Sequence, residues 1–326
     1  MRLGIRHLLA AASAGLATLL PAAPAVHAAT PASSVQSLDI VSYIGPKDTP
    51  WAMWNNWEPA NLDADFAAIA ALNANTVRLF VDPAEFGFPT PSAAAMGKLA
   101  KAVQTAQAHG LRVYLNLFDR FSNFAQIPQS AIWADEVMKP YAGDPEVAAF
   151  EVFNEVDTTN TGQRAWLKAT IPTVQQLSGG IPVGVSICGC DNTGTLQVLH
   201  NQLAETQPDF YSFHYYTDVA TAQQQAQSVF ASARAIVAPL PLIVGETGFS
   251  TGPAATGGSD PTLEQEQAQW FQAVEPAAVA GGLGTAGVWT LEDFTAVNPN
   301  PAQQFFGLIR TDGTQKPAAS VIASTF

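Results

Sequence analysis

The stretch VAAFEVFNEVD, residues 147–157, is an apolar run that ends abruptly in Asn154 and Glu155. A short apolar run with β-branched and aromatic residues predicts a buried strand. The stretch PLIVGETGFS, residues 241–250, predicts a second strand that ends near Glu246. Each strand would place a carboxylate at its C-terminal end. Most enzymes that cleave a glycosidic bond require a pair of such carboxyl groups.

Similar short runs alternate with longer Ala- and Gln-rich segments on both sides of this stretch. The predicted strands lie near residues 38–44, 75–82, 111–118, 147–154, 182–188, 209–215, 241–246 and 285–290. Eight strands that alternate with helices predict an α/β protein with a parallel sheet closed as a (β/α)8 TIM barrel. In that architecture chemistry takes place at the C-terminal strand ends, where both glutamates are expected.

The N-terminal residues have the features of an export sequence. Two arginines precede an apolar run from Leu8 to Leu20, and a small-residue cleavage site ends at Ala28. This pattern is typical of a secretory signal peptide, so we expect a secreted, extracellular protein. The predicted organisation is a signal peptide at 1–28, a flexible lead at 29–36 and one (β/α)8 domain at 37–326.

The charge balance limits the class of partner. Removal of residues 1–28 leaves 12 basic against 27 acidic residues, a formal charge of −15. Such a surface repels nucleic acid and anionic lipid, whereas neutral polymers such as carbohydrate are compatible with it. No later apolar run reaches the roughly 18 residues of a membrane span. We therefore expect no nucleic-acid partner and no membrane association after signal cleavage, and the charge does not exclude carbohydrate as the partner. The chain is also expected to be a monomer.

The sequence contains none of the usual motifs for binding a catalytic metal or a cofactor. Beyond residue 28 the histidines are His109, His200 and His214, with no His-x-His pair and no HExxH. A hydrolytic metal barrel would lack its ligands. No Gly-rich phosphate loop follows a strand, and the GxSxG of serine hydrolases is absent. We expect no metal and no cofactor.

The two cysteines, Cys188 and Cys190, form a CGC triplet. A bridge between them would close a very small loop and stabilise little. The sequence is compatible with a disulfide between the two cysteines and with two free thiols. Metal binding is disfavoured because no companion His or Cys lies nearby.

The motifs at the predicted strand ends resemble those of a known group of enzymes. A single strand-end glutamate can equally be a helix cap or half of an ion pair. The FNE of residues 153–155 together with the GETG of residues 245–248, however, resembles glycoside hydrolase clan A, closest to the cellulase-like family 5. The resemblance covers residues 36–326. It implies a retaining mechanism with Glu155 as general acid and base, Glu246 as nucleophile and Asn154 bonded to the sugar 2-hydroxyl.

Further positions match the same pattern. Arg78, in NTVRLFVD, resembles the clan's arginine beside the nucleophile; the alternative is a structural partner for Glu151. His214 and Tyr216, in FHYY, match a His-x-Tyr motif whose tyrosine is expected to hydrogen-bond the nucleophile. Trp289, in GVWT, matches the aromatic platform under the sugar, where an indole covers the apolar face of a pyranose.

The loop after the first predicted strand, PKDTPWAMWNNW, carries three tryptophans at three-residue spacing. Such a series can pack against the barrel rim or line a sugar subsite. Trp54 and Asn55 are taken as candidate sugar contacts. The segment YLNLFDRF, residues 114–121, departs from family 5 because it lacks a histidine near the end of strand three.

The resulting hypothesis is a secreted retaining β-glycosidase of the endo-β-glucanase or β-mannanase type. One alternative is a catalytically inactive barrel that binds carbohydrate. Others are an exo-acting β-glycosidase and a transglycosylase, which would use the same residues. The sequence leaves the particular polysaccharide open, because loops decide it.

Overall fold

The computed structural model describes residues 32–190, 192–254, 258–295 and 301–326 of the 326-residue chain. The signal peptide predicted at 1–28 lies outside these residues. The described strands are β1 Ile40–Ser42, β2 Thr76–Phe80, β3 Arg112–Asn116, β4 Val147–Glu151, β5 Val183–Cys188, β6 Phe210–Tyr215, β7 Leu242–Thr247 and β8 Ala286–Val288. The described α-helices are α1 Pro59–Ala71, α2 Pro83–Phe86, α3 Ala93–Ala108, α4 Ile127–Met138, α5 Thr161–Leu177, α6 Gly194–Gln202, α7 Val219–Val237, α8 Pro261–Ala280 and α9 Pro317–Thr325.

The strands form one closed parallel barrel in which sequence neighbours are also spatial neighbours. The barrel closes at β1, where Val41 pairs with Val77 of β2 and with Val288 of β8. Helices cover the outside and side chains fill the inside, so nearly every strand residue is buried. Burial on both faces explains why the strands read as continuous apolar runs. The predicted (β/α)8 fold is confirmed.

Polar side chains fix where several of the longer helices begin. The side chains of Ser92, Asn160, Asp218 and Asp260 each accept a hydrogen bond from a backbone N–H in the first turn of α3, α5, α7 and α8, respectively. These N–H groups have no partner within the helix, so a capping side chain stabilises the helix by about 1 kcal/mol. Each cap defines the residue at which its helix begins. It therefore also defines the length of the loop between that helix and the preceding strand.

The N-terminal end of the barrel is covered by a segment predicted to be a flexible lead, 29–36. In its described part the segment forms a 3-10 helix, Ala32–Ser37. Val35 is buried, and the Gln36 side-chain amide donates to the carbonyl of Gly282 at 2.5 Å. An open barrel end would expose the apolar interior to water, so burial of Val35 there covers part of that interior.

The opposite end of the barrel carries the longer loops. Two connections are the longest in the described part of the chain, the one from β1 to α1 and the one from β8 to α9. Both border the same rim. No helix among the described residues is long and apolar enough to cross a membrane. The rim at the C-terminal strand ends is where the candidate residues gather.

Candidate active site

Glu155 and Glu246 face each other across the C-terminal rim of the barrel. Glu246 lies within β7 and is 6% exposed, whereas Glu155 follows the end of β4 and its side chain is 38% exposed. A carboxylate oxygen of Glu155 lies within 4.8 Å of one from Glu246. The two predicted strand-end carboxylates therefore share one site.

The backbone at Glu155 adopts the left-handed conformation, with φ of 54°. Such a conformation costs a non-glycine residue about 1–3 kcal/mol and persists only where the surroundings enforce it. Here Ser186 of β5 supplies the constraint, because its hydroxyl accepts the Glu155 N–H at 2.9 Å and its carbonyl accepts the N–H of Val156 at 3.0 Å. The sharp turn directs the Glu155 carboxylate toward Glu246 instead of along the strand.

Arg78 of β2 connects the acidic groups of the site. Its Nη1 donates to Glu246 Oε2 at 2.7 Å, while its Nε and Nη2 donate to Glu151 Oε2 at 2.9 and 2.7 Å. The two interpretations drawn from the sequence, partner of Glu246 and partner of Glu151, are thus both realised. Nη2 also donates to Asn154 Oδ1 at 2.6 Å, which fixes the orientation of that amide. A fully buried guanidinium provides positive charge under both carboxylates.

Tyr216 follows β6 and donates its hydroxyl to Glu246 Oε1 at 2.6 Å, the hydrogen bond expected from the sequence motif. Burial and the neighbouring charge of Glu246 raise the pKa of Tyr216 well above its ordinary value. The phenol therefore stays a neutral donor at any ordinary pH. Together with Arg78 it occupies both carboxylate oxygens of Glu246, which fixes the plane of that group.

His214 of β6 is fully buried beneath the two glutamates. Its Nδ1 lies 2.9 Å from Glu155 Oε1 and 3.6 Å from Glu246 Oε2. Burial lowers the pKa of His214, but the negative Glu246 and the hydrogen bond to Glu155 outweigh burial and raise it overall. Burial raises the pKa of Glu155, and the hydrogen bond and charge of His214 lower it by more. The two directions place the shared proton on Nδ1 of His214, which donates it in the hydrogen bond to Oε1 of Glu155.

The glutamates open into a cleft of about 510 Å³. Trp289, directly after β8, contributes an indole on the cleft surface, as expected for a platform under a sugar ring. Carbohydrate rings bind such surfaces through their apolar faces. The residues that line the cleft are Trp51, Asn154, Glu155, Cys188, Cys190, Tyr216, Glu246, Trp289, Gln303 and Phe306.

Trp54 and Asn55 do not belong to this cleft, contrary to the prediction. The Trp54 indole is 4% exposed, donates to the carbonyl of Phe80 at 2.7 Å and stacks on Trp57. Asn55 is exposed, but outside the residues that line the cleft. The loop turns between successive tryptophans, so only Trp51 reaches the cleft. Three-residue spacing alone did not reveal which tryptophan that would be.

Further cleft residues were not identified from the sequence. Cys188 ends β5, and the thiols of Cys188 and Cys190 are both free. The position of Cys188 at a C-terminal strand end was a usable indication that it borders the site. Gln303 and Phe306 come from the segment after β8, where no strand end or motif marks them.

The geometry also offers a set of donor atoms that could hold a metal ion. One ligand atom from each of Glu155, His214 and Glu246 lies within 4.8 Å of the others. Arg78, however, places a guanidinium 2.7 Å from Glu246, and like charges repel at such distances. The arrangement therefore favours a proton between these groups over a cation.

The chain is similar to known proteins both in sequence and in structure. Residues 46–282 match the family model described as Cellulase (glycosyl hydrolase family 5). No curated protein matches the chain. The matched segment includes the ends of β2 through β7 and therefore both glutamates.

Solved structures similar to the chain come from several bacteria. The exo-beta-1,4-mannosidase Op5Man5 from Opitutaceae bacterium strain TAV5 has a TM-score of 0.73 and 17% identity over 88% of this chain, which spans 58% of that protein. A GH5_18 protein from Streptomyces cattleya, in complex with GlcNAc, has a TM-score of 0.72 and 16% identity over 89% of this chain and 79% of the other. A family 39 glycoside hydrolase from Bacteroides cellulosilyticus WH2 has a TM-score of 0.62 and 14% identity over 90% of this chain and 64% of the other. At these identities the similarity shows the fold alone.

Proposed function

Because the chain belongs to glycosyl hydrolase family 5, and is thus a glycoside hydrolase with carbohydrate substrates, we propose that it is a retaining β-glycosidase. The observation that carries the proposal is the separation of at most 4.8 Å between an oxygen of Glu155 and one of Glu246. Retaining enzymes hold their carboxyl groups about 5–5.5 Å apart, whereas inverting enzymes leave about 6.5–9.5 Å for a water molecule.

Glu246 is the nucleophile in this proposal. Its two oxygens already accept hydrogen bonds from Arg78 and Tyr216, so the carboxylate is held in one orientation. It attacks the anomeric carbon and forms a glycosyl ester. Water then cleaves that ester, and the sugar leaves with its original anomeric configuration.

Glu155 is the general acid and base. The proton that it shares with His214 passes to the glycosidic oxygen as the bond breaks, and Glu155 then takes a proton from the attacking water. Asn154, oriented by Arg78, faces the cleft beside Glu155 and is placed to bond a sugar hydroxyl. Trp289 supports the ring from below.

Labelling of the nucleophile tests this assignment. A 2-deoxy-2-fluoro β-glycoside with a good leaving group should add the mass of one sugar to the peptide that contains Glu246, because fluorine slows hydrolysis of the ester. Glu246→Gln should take no label and should lose at least about 10⁴-fold in kcat/KM. Binding of the glycoside with no label on the parent protein would instead favour the inactive carbohydrate-binding barrel.

The proposed substrate is a β-linked oligo- or polysaccharide. The open cleft is compatible with the endo-β-glucanase or β-mannanase activity inferred from the sequence. The similar structures include an exo-beta-1,4-mannosidase, and on that ground a β-mannoside is one candidate substrate. Product profiles on β-1,4-glucan, β-1,3-glucan, mannan, xylan and galactan distinguish these substrates.

Exo action is a second candidate, favoured by the position of Trp51. In a closed eight-stranded barrel β8 lies opposite β4, and Trp51 packs beside Trp289 after β8, so Trp51 is across the site from Glu155, which serves the leaving group. Its ring packs 5.3 Å from Phe294 and 6.4 Å from Trp289, and Arg120 donates to its carbonyl at 3.1 Å. A fixed indole there would stop a chain after one sugar.

Product length tests the role of Trp51. An exo-acting enzyme should release only single sugars from a reduced oligosaccharide, and Trp51→Ala should add longer products by opening that end. Trp57→Ala is the matched control, because Trp57 stacks on Trp54 outside the cleft. A mixture of product lengths from the parent protein would establish endo action and exclude a blocking role for Trp51.

The proposal includes export, which follows from the sequence pattern at residues 1–28. Expression in a secreting bacterial host should release a protein that begins at Ala29, as read by N-terminal sequencing. Retention of an uncleaved chain inside the cell would contradict export. The expected monomer is checked by light scattering of the same material.

A further inference from the structure

The segment 114–121, which departs from the family 5 pattern, contributes to a charged cluster at the rim of the barrel. Asp119 and Arg120 follow the end of β3, and the Asp119 N–H donates to the backbone carbonyl directly after β2 at 3.0 Å. This bond brings both residues beside Asp82, which caps α2, and Glu85 within α2. None of these four residues has a part in the reaction described above.

The Arg120 guanidinium is shared by the three carboxylates of the cluster. Its Nη2 lies 2.6 Å from Asp82 Oδ2 and 3.6 Å from Glu85 Oε1, and its Nε lies 3.3 Å from Asp119 Oδ2. The acidic side chains are 12%, 13% and 11% exposed, respectively, and that of Arg120 is 48% exposed. An isolated exposed ion pair contributes little, but several little-exposed carboxylates around one guanidinium form a network that fixes its orientation.

The same guanidinium holds the backbone of Trp51. Its Nη2 donates to the Trp51 carbonyl at 3.1 Å, and the Trp51 N–H donates to the carbonyl of Ile44 at 2.7 Å. Trp51 has a φ of 58°, in the left-handed region. A non-glycine residue keeps that conformation only where its surroundings enforce it. Arg120 supplies one of the two hydrogen bonds that do so.

The side chain of Trp51 is also confined. Its ring packs 5.3 Å from Phe294 and 6.4 Å from Trp289. Between Trp51 and the charged cluster the structure leaves a cavity of only about 10 Å³. That volume has room for about one water molecule and none for an indole. Trp51 therefore cannot withdraw from the cleft unless the cluster opens.

We propose that Arg120 is a positioning residue that holds Trp51 as the end wall of the cleft and thereby restricts the substrate to the non-reducing ends of β-linked chains. The inference rests on the proposed glycosidase function and names the residue that limits its substrate. Arg120 acts through Trp51 and does not itself touch the sugar, since it lies outside the residues that line the cleft.

The position of the wall decides which chain end is bound. Glu155 serves the leaving group, and Trp51 lies across the site, beyond the sugar that forms the ester with Glu246. That side of the sugar carries the non-reducing end. Without Arg120 the Trp51 carbonyl loses its hydrogen bond and three carboxylates are left side by side, so their repulsion favours an open loop.

The first measurement is the length of the products released from a reduced β-linked oligosaccharide, read by mass spectrometry. The parent protein should release single sugars, and Arg120→Ala should raise the share of longer products at least about 10-fold, because the wall loses a hydrogen bond from a charged donor. Arg120→Met, which keeps most of the apolar stem and loses every donor, should show the same change. Parent-like products from folded Arg120→Ala or Arg120→Met would overturn the inference.

Arg234→Ala is the matched control. Arg234 also donates to a backbone carbonyl, that of Leu240 at 3.0 Å, but before β7 at the other end of the barrel. Its loss should leave product length unchanged. Thermal unfolding followed by circular dichroism shows that each variant is folded. A purely structural role of Arg120 would lower Tm without changing product length, and that result would overturn the inference.

The second measurement is a double variant. If Arg120 acts through Trp51, then Arg120→Ala combined with Trp51→Ala should give the same products as Trp51→Ala alone. A larger share of longer products in the double variant would show that Arg120 affects the cleft by another route, which overturns the inference.

These results are separable from a failure of the proposed function. A parent protein that labels on Glu246 but releases mixed product lengths would overturn the role of Arg120 and leave the retaining mechanism in place. A parent protein that neither labels nor hydrolyses any β-glycoside would overturn the proposed function, and the inference with it.

Discussion

At the residue scale the site depends on a small number of charge-assisted hydrogen bonds. Arg78 and Tyr216 both donate to Glu246 through short bonds, of which the first is buried and the second part-buried. In such surroundings a hydrogen bond to a charged group contributes about 1.5–3 kcal/mol. Loss of one donor should therefore have a measurable kinetic effect without unfolding the barrel.

Tyr216→Phe removes one of these donors. We expect kcat/KM on an aryl β-glycoside to fall by roughly 10- to 100-fold, because the carboxylate loses its fixed orientation and a partner for its charge. The same change at Tyr141, whose hydroxyl has no partner among the described residues and which does not line the cleft, should leave kcat/KM near the parent value. Equal effects at the two positions would remove Tyr216 from the mechanism.

Glu155→Ala removes the proposed acid and base. Cleavage of substrates with poor leaving groups should slow by about 10²–10⁴-fold, because the leaving oxygen must depart without a proton. Aryl glycosides with very acidic phenols should lose far less in the first step. Added azide should restore turnover and give the β-glycosyl azide, as judged by NMR. An α-azide product would contradict a retaining mechanism.

At the element scale, the packing of α8 against β8 buries an ionisable side chain, that of Glu275. Glu275 of α8 is fully buried against β8, where its Oε2 accepts the N–H of Ala286 at 2.9 Å. Burial raises the pKa of Glu275 to about 8, the Ala286 N–H lowers it and nearby Asp39 raises it. The folded protein therefore keeps this carboxyl neutral where the unfolded chain ionises it.

Glu275→Gln tests the linkage between this pKa and stability. Because the folded pKa exceeds the unfolded value of about 4.5, the parent loses stability as pH rises from about 4.5 to 8, by up to about 1.4 kcal/mol per unit. The glutamine variant should lack that loss and gain Tm relative to the parent at pH 8 but little at pH 4. Glu266→Gln on the same helix, at a partly exposed position, controls for removal of a charge. If both variants gained Tm equally at pH 8, the raised pKa of Glu275 would not account for the effect.

At the scale of the whole molecule, the chain after β8 is tied back to the rim of the barrel. Lys316, at the start of α9, is buried, and its ammonium donates to Asp293 at 2.7 Å, to Thr251 at 2.8 Å and to the carbonyl of Phe305 at 3.3 Å. This single group joins the segments after β7 and after β8. Those segments include the wall of the cleft that carries Phe306.

Lys316→Met should destabilise the protein by about 3–5 kcal/mol, since it leaves Asp293 buried without its counter-charge. Urea unfolding followed by circular dichroism measures the change. The double variant Lys316→Met with Asp293→Leu removes both charges and should recover part of the loss. A double variant no more stable than the single one would show that the charge pairing does not account for the effect.

The sequence determined the barrel and the two carboxylates. All eight strands lie where apolar runs predicted them, because a parallel strand buried on both faces must be apolar throughout and leaves a continuous local pattern. Glu155 and Glu246 were identified because a polar residue that ends such a run stands out. Arg78, His214, Tyr216 and Trp289 were identified by resemblance to known motifs, and the structure places all four around the glutamates.

Only the tertiary structure decided which loop residues reach the cleft. Trp54 and Asn55 were expected there and Trp51 is there instead, because a loop has no fixed period that assigns side chains to a face. Cys188 and Glu155 likewise come from two different strand ends to line one cleft, and no spacing along the chain encodes this meeting. Strand periodicity is a local property of the sequence. The partners of a side chain at the rim depend on barrel closure, which brings distant segments together.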